Sequence, residues 1–405
     1  MKPEFRYARK TDLDKMVKLV NLSFPLINFT KEGFTKSFHH TLKDVIVAEF
    51  NKEIAGLLII PPYKVWILDD MIPMAGIGLV TMSPSVRRRG IASGLMKMAV
   101  LECYKQGYPI SMLFPFSHQF YKKVGYGLVG EKYVYSFSPL SLTQYDELLN
   151  VRLFEKKDLG VVKRVYIESS KKTSFRICRN DKRWKSLTES KDRNVVVYDD
   201  KGIKGYLIYK YEYSDNRIEQ FLRVYELIYL NDEAYRGLLG FLAAQREQVD
   251  SIIYHTTKDD PLHFALSNPR KTRSNARIVS SNAVLEVNAD YMLRIVDLKK
   301  ALLARKDYNN MNLCFSIKVA GDIVEENNKP ITVIVKNGKP TIKSGIKSDV
   351  VLECDISVFS QIYAGINSEY LHKIQFLKCN KPEVLKEIDE VFKLPAPDLL
   401  PLDGF

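Results

Sequence analysis

The feature that most constrains this chain is a strand, an arginine-rich turn and a helix that follow one another between residues 77 and 105. Residues 77–82 are apolar and β-branched in the manner of a buried strand, and Ser83-Pro84 ends it. The six residues Arg87–Ala92, which we call the arginine turn, precede a stretch whose apolar residues recur at helical spacing. This order predicts a strand–turn–helix unit within a sheet that is flanked by helices.

The arginine turn is predicted to bind a phosphate or pyrophosphate. Backbone N–H groups at a helix N-terminus lack partners within the helix, and together with the helix dipole they favour an anion. Gly90 lets the backbone approach closely, the small Ala92 permits tight helix packing, and arginines add forked donors. The alternative is a solvated basic helix start. Three cations at a helix N-terminus are electrostatically unfavourable unless an anion is present, which argues against this alternative.

The chain divides into three segments, about 1–145, 146–285 and 286–405. The first two follow the same order of helix, β runs, helix and strand. In place of the arginine turn, the second has residues 231–237, whose acidic Asp232 would repel a phosphate. We therefore expect one cofactor site, in the first segment.

The third segment combines β runs with helices and ends in an apolar, proline-rich tail. Asn337-Gly338 predicts a tight hairpin turn between two of its strands. The tail, residues 394–405, is too apolar for a frayed end, and we expect it to be docked.

Composition narrows the expected partners. The formal net charge is +13, but the basic residues are spread along the chain without a nucleic-acid recognition motif, so we expect no nucleic-acid partner. No apolar run approaches the roughly 20 residues of a membrane span, and the N-terminus lacks the apolar stretch of a secretory signal. We therefore expect a cytoplasmic protein. The five cysteines form no CxxC pair and the six histidines no HExxH spacing, which predicts no metal site.

The arginine turn resembles the acetyl-CoA signature of the GNAT superfamily, arginine or glutamine-x-x-glycine-x-glycine or alanine. In that family the preceding strand separates from its neighbour and offers backbone groups to the pantetheine arm. The resemblance implies acetyl-CoA as the cofactor. The cofactor-binding residues that it implies are Val80, Thr81, Met82, Arg87, Arg88, Arg89, Gly90, Ile91, Ala92 and Tyr121.

Residues 117–127 resemble the segment that follows the second cofactor-binding strand in many GNAT enzymes. The tyrosine after its glycine commonly protonates the departing CoA thiolate, and Tyr126 occupies that place. The alternative is that Tyr126, one of 23 tyrosines, packs in a β bend.

Over essentially its full length the chain is similar to the Eis (enhanced intracellular survival) family. This resemblance implies an α+β fold with two tandem GNAT-like domains, each a mixed sheet flanked by helices, and then a sterol-carrier-protein-like α+β domain. The implied domains are a catalytic one at 1–145, one without cofactor at 146–285, and a third at 286–405, whose tail reaches the active site.

In the Eis family the chain ends inside the catalytic site, where the terminal carboxylate is implicated in catalysis. The resemblance therefore implies a catalytic Phe405, and we expect Phe24 and Asp403 to contact the acceptor. Family members are typically hexamers that acetylate amines, often at several positions of aminoglycosides and in some cases at lysine side chains. Asp403-Gly404 predicts a flexible terminus, and the charge of +13 requires a local acidic pocket for a polycationic acceptor.

We therefore expect direct acetyl transfer to a primary amine, of an aminoglycoside-type or another polyamine molecule. Tyr126 is expected to act as the general acid, and the carboxylate of Phe405 as a base or an orienting group. Two alternatives stay open: transfer to protein lysines, and a non-enzymatic carrier of lipid or another hydrophobic ligand, based on the third segment.

Overall fold

The computed structural model describes residues 2–24, 28–36, 41–215, 217–267, 269–272, 281–306 and 308–405. The helices are α1 Leu13–Ser23, α2 Lys31–Lys36, α3 Ile91–Lys105, α4 His118–Lys122, α5 Leu159–Ser170, α6 Asp181–Thr188, α7 Asp232–Ala243, α8 Leu262–Ala265, α9 Leu298–Ala304, α10 Ile356–Tyr363, α11 Ser368–Lys373 and α12 Leu385–Phe392. The strands are β1 Glu4–Tyr7, β2 Val45–Phe50, β3 Glu53–Ile59, β4 Pro62–Ile67, β5 Asp70–Met82, β6 Ile110–Leu113, β7 Gly127–Leu128, β8 Glu131–Phe137, β9 Val151–Leu153, β10 Ser174–Ile177, β11 Asn194–Asp199, β12 Ile203–Tyr213, β13 Gln220–Tyr229, β14 Ser251–Thr256, β15 Arg270–Thr272, β16 Ser281–Ala283, β17 Leu285–Ala289, β18 Met292–Ile295, β19 Leu313–Val319, β20 Ile331–Lys336, β21 Lys339–Ser344, β22 Val351–Cys354 and β23 Lys378–Cys379.

The first sheet has the strand order β1-β2-β3-β5-β6-β18-β7, and β4 joins β5 to β10. Side chains alternate between the two faces of each strand. On β5, Ala75 and Ile77 belong to the core beneath α3, so we call this side the α3 face. Met74 belongs to a core shared with strands β19–β23 and their helices α10 and α12, which we call the third unit. The third unit packs on the face of the first sheet opposite α3, and so do α1 and α2.

The second sheet, with the order β17-β8-β14-β13-β12-β11-β9, repeats the arrangement of the first. An ion pair found in both units marks the repeat. Arg6 and Arg152 each hold the aspartate six residues later at 2.7 Å, through Asp12 and Asp158 respectively. In each case that aspartate precedes the first helix of its unit, as expected from the parallel order of elements in the sequence.

The sheets exchange strands across the predicted segment boundaries. β8 lies before residue 145 yet pairs with β14 of the second sheet, whereas β10, from the second segment, pairs with β4 of the first. β18 was expected in the third unit but lies between β6 and β7. An apolar run predicts that a strand forms, but its hydrogen-bonding partner depends on which sheet edge is free in three dimensions.

The third unit has the strand order β21-β20-β19-β22-β23, with α10 and α12 packed nearby. Its interior is filled by aromatic rings: the ring centroid of Phe392 lies 6.0 Å from that of Phe315 and 5.8 Å from that of Phe359. The predicted hairpin turn at Asn337-Gly338 is confirmed, with φ of 47° and 71°.

Candidate active site

The arginine turn lies on the surface, directly before α3. Arg88 and Gly90 have the positive φ values 63° and 75°, and the three arginines are exposed. Gly90 is the N-cap of α3 and offers no side-chain acceptor, so the first N–H groups of this helix are left for another partner. A Cβ atom at Gly90 would meet nothing within 4 Å, which leaves the approach to these groups open.

Strand β5 separates from β6 just before this turn. The two strands are parallel and paired from Met74 to Ile77, whereas β5 continues to Met82. Opposite β3, one extra residue of β5 forms a bulge at Leu79, whose φ is +48°. Thr81 is buried and its hydroxyl donates to the Leu79 carbonyl at 2.8 Å, which holds the bulge.

After the bulge, one edge of β5 is no longer paired with β6. The N–H of Ser83 donates to the Ala55 carbonyl of β3 at 2.8 Å. Because successive N–H groups of a strand point to alternate sides, those of Met82 and Val80 point away from β3. These are the two positions that the sequence predicts for contacts with pantetheine. Their role as contacts stays a prediction.

Tyr126 lies on the α3 face, next to the place where β5 and β6 separate. It is fully buried, and its hydroxyl is 2.8 Å from Oγ of Ser111 on β6. Burial raises the pKa of Tyr126 well above its ordinary value. The phenol is therefore protonated at neutral pH, which is the state that a general acid requires. Its catalytic role stays a prediction.

Tyr121 packs against Tyr126 rather than on the surface. It is 2% exposed, and its ring lies 6.2 Å from that of Tyr126 and 5.0 Å from that of Phe120. The aromatic segment that the sequence singles out thus forms part of the core beneath α3. A contact between Tyr121 and a cofactor stays a prediction.

A buried arginine from β18 holds the loop before Tyr126. Arg294 donates from Nη1 to the Val124 carbonyl at 2.7 Å and pairs through Nη2 with Asp322 of the third unit. Both members of this ion pair are almost completely buried. Gly125, with φ of +86°, lies against the guanidinium. The third unit is therefore connected to the loop that carries Tyr126.

Phe405 lies on the face of β5 opposite Tyr126. A Cβ atom at Gly76 would be 2.8 Å from its ring, and one at Gly78 would be 3.0 Å from its carboxyl carbon. The ring centroids of Tyr63 and Phe114 lie 5.2 Å and 5.6 Å from that of Phe405. The predicted docking of the tail is thus present. The carboxyl group lies one residue before the bulge, at the edge of the opening between β5 and β6.

The predicted role of Asp403 requires a correction. Its side chain is completely buried and pairs with Arg179 at 2.8 Å and with Arg183 at 3.3 Å. A carboxylate whose charge is balanced by two guanidinium groups, and which no solvent reaches, is not placed to attract a cationic acceptor. The pair Asp403-Gly404, which the sequence predicts to be flexible, is restrained by a hydrogen bond that Arg183 donates to the Gly404 carbonyl at 3.0 Å.

Phe24 follows the last residue of α1. It packs against the cluster formed by α1, α2 and the adjoining strands, to which Leu79 of the β5 bulge also belongs. Residues 25–27 and 37–40 lie outside the described residues. The role of Phe24 in acceptor binding stays a prediction.

Sequence reasoning missed four residues of this region: Tyr63, Arg179, Arg183 and Arg294. The hydroxyl of Tyr63 is buried without a hydrogen-bond partner, and burial raises the pKa of this phenol to about 12. The only signal for Arg179 and Arg294 was their position just after or within a short apolar strand, where a charged side chain must find a partner. Arg183 lies in α6 and gave no such signal. Nothing in the sequence indicated that this partner is the tail.

In the second unit, the equivalent of the arginine turn is closed. The N-cap Asn231 accepts a hydrogen bond from the backbone of Ala234 at 3.1 Å, and Asp232 and Glu233 occupy the first turn of α7. A helix start that carries its own acceptor and two acids does not favour a phosphate.

The described residues contain no cluster of three or more histidine, cysteine, aspartate or glutamate side chains that could hold a metal ion. Within the same part of the chain, no helix is both long and apolar enough to cross a bilayer.

Family models match three parts of the chain. A model described as an acetyltransferase (GNAT) domain matches residues 4–129, a second with the same description matches residues 176–295, and a sterol carrier protein domain matches residues 298–399. The predicted α+β class, with tandem GNAT-like units and a sterol-carrier-like unit, is confirmed. The exact boundaries at 145 and 285 stay a prediction. Curated proteins give no significant match.

Solved structures share the whole architecture. A GCN5-related N-acetyltransferase from Anabaena variabilis is 22% identical with a TM-score of 0.85, and a probable N-acyltransferase from Enterococcus faecalis is 21% identical with a TM-score of 0.83. Eis1 from Mycobacterium abscessus is 17% identical with a TM-score of 0.77. In each case 100% of both chains is covered. At these identities the likeness shows the fold.

Proposed function

The chain belongs to the GNAT acetyltransferases, whose family models together match more than half of it, and we propose that it transfers acetyl from acetyl-CoA to a primary amine. One observation carries this proposal. The carboxyl group of Phe405 lies at Gly78, directly before the bulge at which β5 separates from β6 and continues to the arginine turn. The arginine turn, strand amides that β6 does not pair and an acidic group thus adjoin one opening.

The arginine turn would hold the pyrophosphate of acetyl-CoA. The uncapped start of α3 supplies backbone N–H groups and the arginines supply charge-assisted hydrogen bonds. The pantetheine arm would then lie along β5, within reach of the N–H groups of Val80 and Met82. The thioester would then lie in the opening between β5 and β6, with Tyr126 on one face of the first sheet and Phe405 on the other.

Two groups on opposite faces of the sheet would serve the reaction. The neutral amine attacks the thioester carbonyl from the side of Phe405, and the free amides of β5 stabilise the oxyanion. The C–S bond then breaks, and the thiolate takes a proton from Tyr126 on the α3 face. The nitrogen loses its extra proton to water or to the Phe405 carboxylate, and a proton from solvent restores the phenol of Tyr126. The products are an acetylamide and CoA.

The carboxylate of Phe405 is better suited to orient the acceptor than to deprotonate it. The reference pKa of a terminal carboxyl is about 3.5 and that of an amine about 10, so full proton transfer would cost roughly 9 kcal/mol. After attack the nitrogen is far more acidic, so transfer to the carboxylate costs much less than it would from the free ammonium. Among the described residues no cationic side chain forms an ion pair with this carboxylate, which leaves it free for an ammonium group of the acceptor.

The acceptor class follows from this free carboxylate. Because the charge of Asp403 is balanced, an amine with further positive charge would be held by Phe405 itself. We propose an aminoglycoside-type or another polyamine molecule as the acceptor, bound by a cytoplasmic homo-oligomer, which the family resemblance suggests to be a hexamer. Analytical ultracentrifugation tests the hexamer.

A thiol-release assay tests the proposed activity. Wild-type protein is incubated with acetyl-CoA and, in parallel, with aminoglycosides, linear polyamines and lysine-containing peptides. We expect CoA release that depends on the amine and is faster with the small polyamines than with the peptides. Release with the peptides alone would favour lysine acetylation of proteins, and no release with any amine would refute the proposal.

The carrier alternative receives no support from the interior of the third unit. A carrier of lipid would require an open apolar cavity there, whereas the rings of Phe315, Phe359 and Phe392 pack against one another in that position. Analysis of lipid that co-purifies with the protein distinguishes this alternative from the proposed enzyme.

A further inference from the structure

The tail crosses the second unit before it reaches the first sheet. The N–H of Ala396 donates to Asp259 at 2.6 Å, and that of Asp398 donates to the Ser174 carbonyl of β10 at 2.8 Å. Leu400 is buried in the core of the second unit. The tail leaves α12 in the third unit, so its path is determined by contacts with a unit to which it does not belong in sequence.

Three arginines of one short segment bind the two acids of the tail. Arg176 donates from Nε to Asp398 at 2.9 Å, and Arg179 and Arg183 pair with Asp403. The segment begins in β10, which also pairs with β4 of the first sheet. The same piece of the second unit therefore contacts both the tail and the sheet against which the tail ends.

The contacts at Asp403 fix the register of the tail. The side chains of Arg179, Asp403 and Glu226 have no exposed surface, and Arg179 lies 4.3 Å and 4.9 Å from the ring centroids of Tyr166 and Trp184. A tail that slipped by one residue would take the Asp403 carboxylate out of this buried cluster and leave Arg179 with Glu226 alone, which is unfavourable.

Arg183 adds a second constraint directly before Phe405. Its Nη2 donates to the carbonyl groups of Leu402 at 2.8 Å and of Gly404 at 3.0 Å, on both sides of Asp403. These bonds restrict the backbone rotation of Gly404. The next residue is Phe405, whose carboxyl group lies at Gly78.

We propose that the second GNAT-like unit serves as a clamp that sets the position of the Phe405 carboxylate in the active site of the first unit. Arg179 and Arg183, with Glu226 behind them, form this tail clamp and are positioning residues for acetyl transfer. The helix start at Asn231 does not favour a phosphate, which agrees with this role: the arginines of the second unit bind the tail and not a cofactor. The catalytic part of this inference rests on the proposed function, whereas the clamp itself is tested without any activity.

Arg183→Gln tests the clamp with little risk to folding, since this side chain is partly exposed, whereas Arg179 is completely buried. Lys185→Gln is the matched control on the same helix, because Lys185 is exposed and its recorded ion pair, at 3.9 Å, is with Glu189. The first readout is release of Phe405 by carboxypeptidase A, followed by intact mass spectrometry. The second is kcat and KM for acetyl-CoA in the thiol-release assay.

We expect Arg183→Gln to release Phe405 at least about tenfold faster than wild type and to lower kcat about 10- to 100-fold, because small displacements of a catalytic group have effects of this size. KM for acetyl-CoA stays unchanged, Arg183→Lys recovers part of both losses, and Lys185→Gln behaves as wild type. If carboxypeptidase A releases Phe405 from Arg183→Gln no faster than from wild type, the clamp is refuted.

A protein that lacks Phe405 separates positioning from a general structural effect. In that background the terminal carboxylate belongs to Gly404, which Arg183 binds, and no carboxylate of Phe405 lies at Gly78. Arg183→Gln is therefore expected to leave the residual kcat unchanged. If Arg183→Gln lowers kcat by the same factor in proteins with and without Phe405, the positioning role is refuted. If wild type releases no CoA with any amine, the proposed function fails, while carboxypeptidase release still decides whether the clamp exists.

Discussion

Substitution of Gly125 by alanine should destabilise the protein far more than its small size suggests. Gly125 has φ of +86°, and a Cβ atom there would lie 1.5 Å from Nη1 of Arg294. The end of an arginine can usually move aside. Here it cannot do so freely, because Arg294 is fully buried, donates to the Val124 carbonyl at 2.7 Å and pairs with Asp322.

The magnitude follows from two effects. Left-handed backbone costs a residue with a Cβ atom about 1–2 kcal/mol. Loss of a partner from a buried ion pair costs about 3–5 kcal/mol, which sets the scale for displacing Arg294. Together they amount to about 4–7 kcal/mol, a large part of the 5–15 kcal/mol typical of a folded domain.

Urea denaturation of Gly125→Ala beside Gly345→Ala measures this effect. Gly345 has a similar φ of +81°, but a Cβ atom there meets nothing within 4 Å, so only the backbone cost applies. The midpoints of the first transition are compared, because a protein with several units need not unfold in two states. Equal shifts for both variants would refute the reasoning about Arg294.

Three further predictions concern the site and its surroundings. Tyr126→Phe should lower kcat about 10²- to 10⁴-fold while calorimetry shows unchanged acetyl-CoA affinity; a wild-type rate would remove Tyr126 from the mechanism. Arg87→Gln should raise the Kd for acetyl-CoA about tenfold and weaken its dependence on salt, and an unaltered Kd at low salt would contradict a pyrophosphate contact. Burial lowers the pKa of His255 to about 4 from about 6.5. Since the unfolded chain binds the proton first, this residue makes stability fall as pH falls from about 6.5 to about 4. His255→Gln should flatten that slope in urea unfolding at several pH values, and an identical slope would contradict the assignment.

Local patterns in the sequence predicted the parts of the site that depend on local structure. The arginine turn, the helix after it and the strand before it could be read from residue order, because a helix start and a strand end are determined by neighbouring residues. The hairpin at Asn337-Gly338 is confirmed for the same reason. The positions of Val80 and Met82 came from the resemblance to the GNAT superfamily, and their contacts with a cofactor stay a prediction.

Contacts between distant segments could not be predicted in this way. The charge of Asp403 suggested a contact with the acceptor, but Arg179 and Arg183, more than two hundred residues earlier, balance it in the fold. Arg294 likewise lies in a strand that looked like part of the third unit and joins the first sheet instead. A single sequence records that a buried charge needs a partner, but it does not record which one.

The central claim is that the carboxylate of Phe405 takes part in acetyl transfer, and adding one glycine after Phe405 tests it most directly. The ring keeps its contacts with Tyr63 and Phe114, whereas the carboxylate moves by roughly 3.5 Å, the length of one residue. We predict a fall in kcat of about 10- to 100-fold, with an unchanged KM for acetyl-CoA. An extended protein that acetylates amines at the wild-type rate would contradict the account.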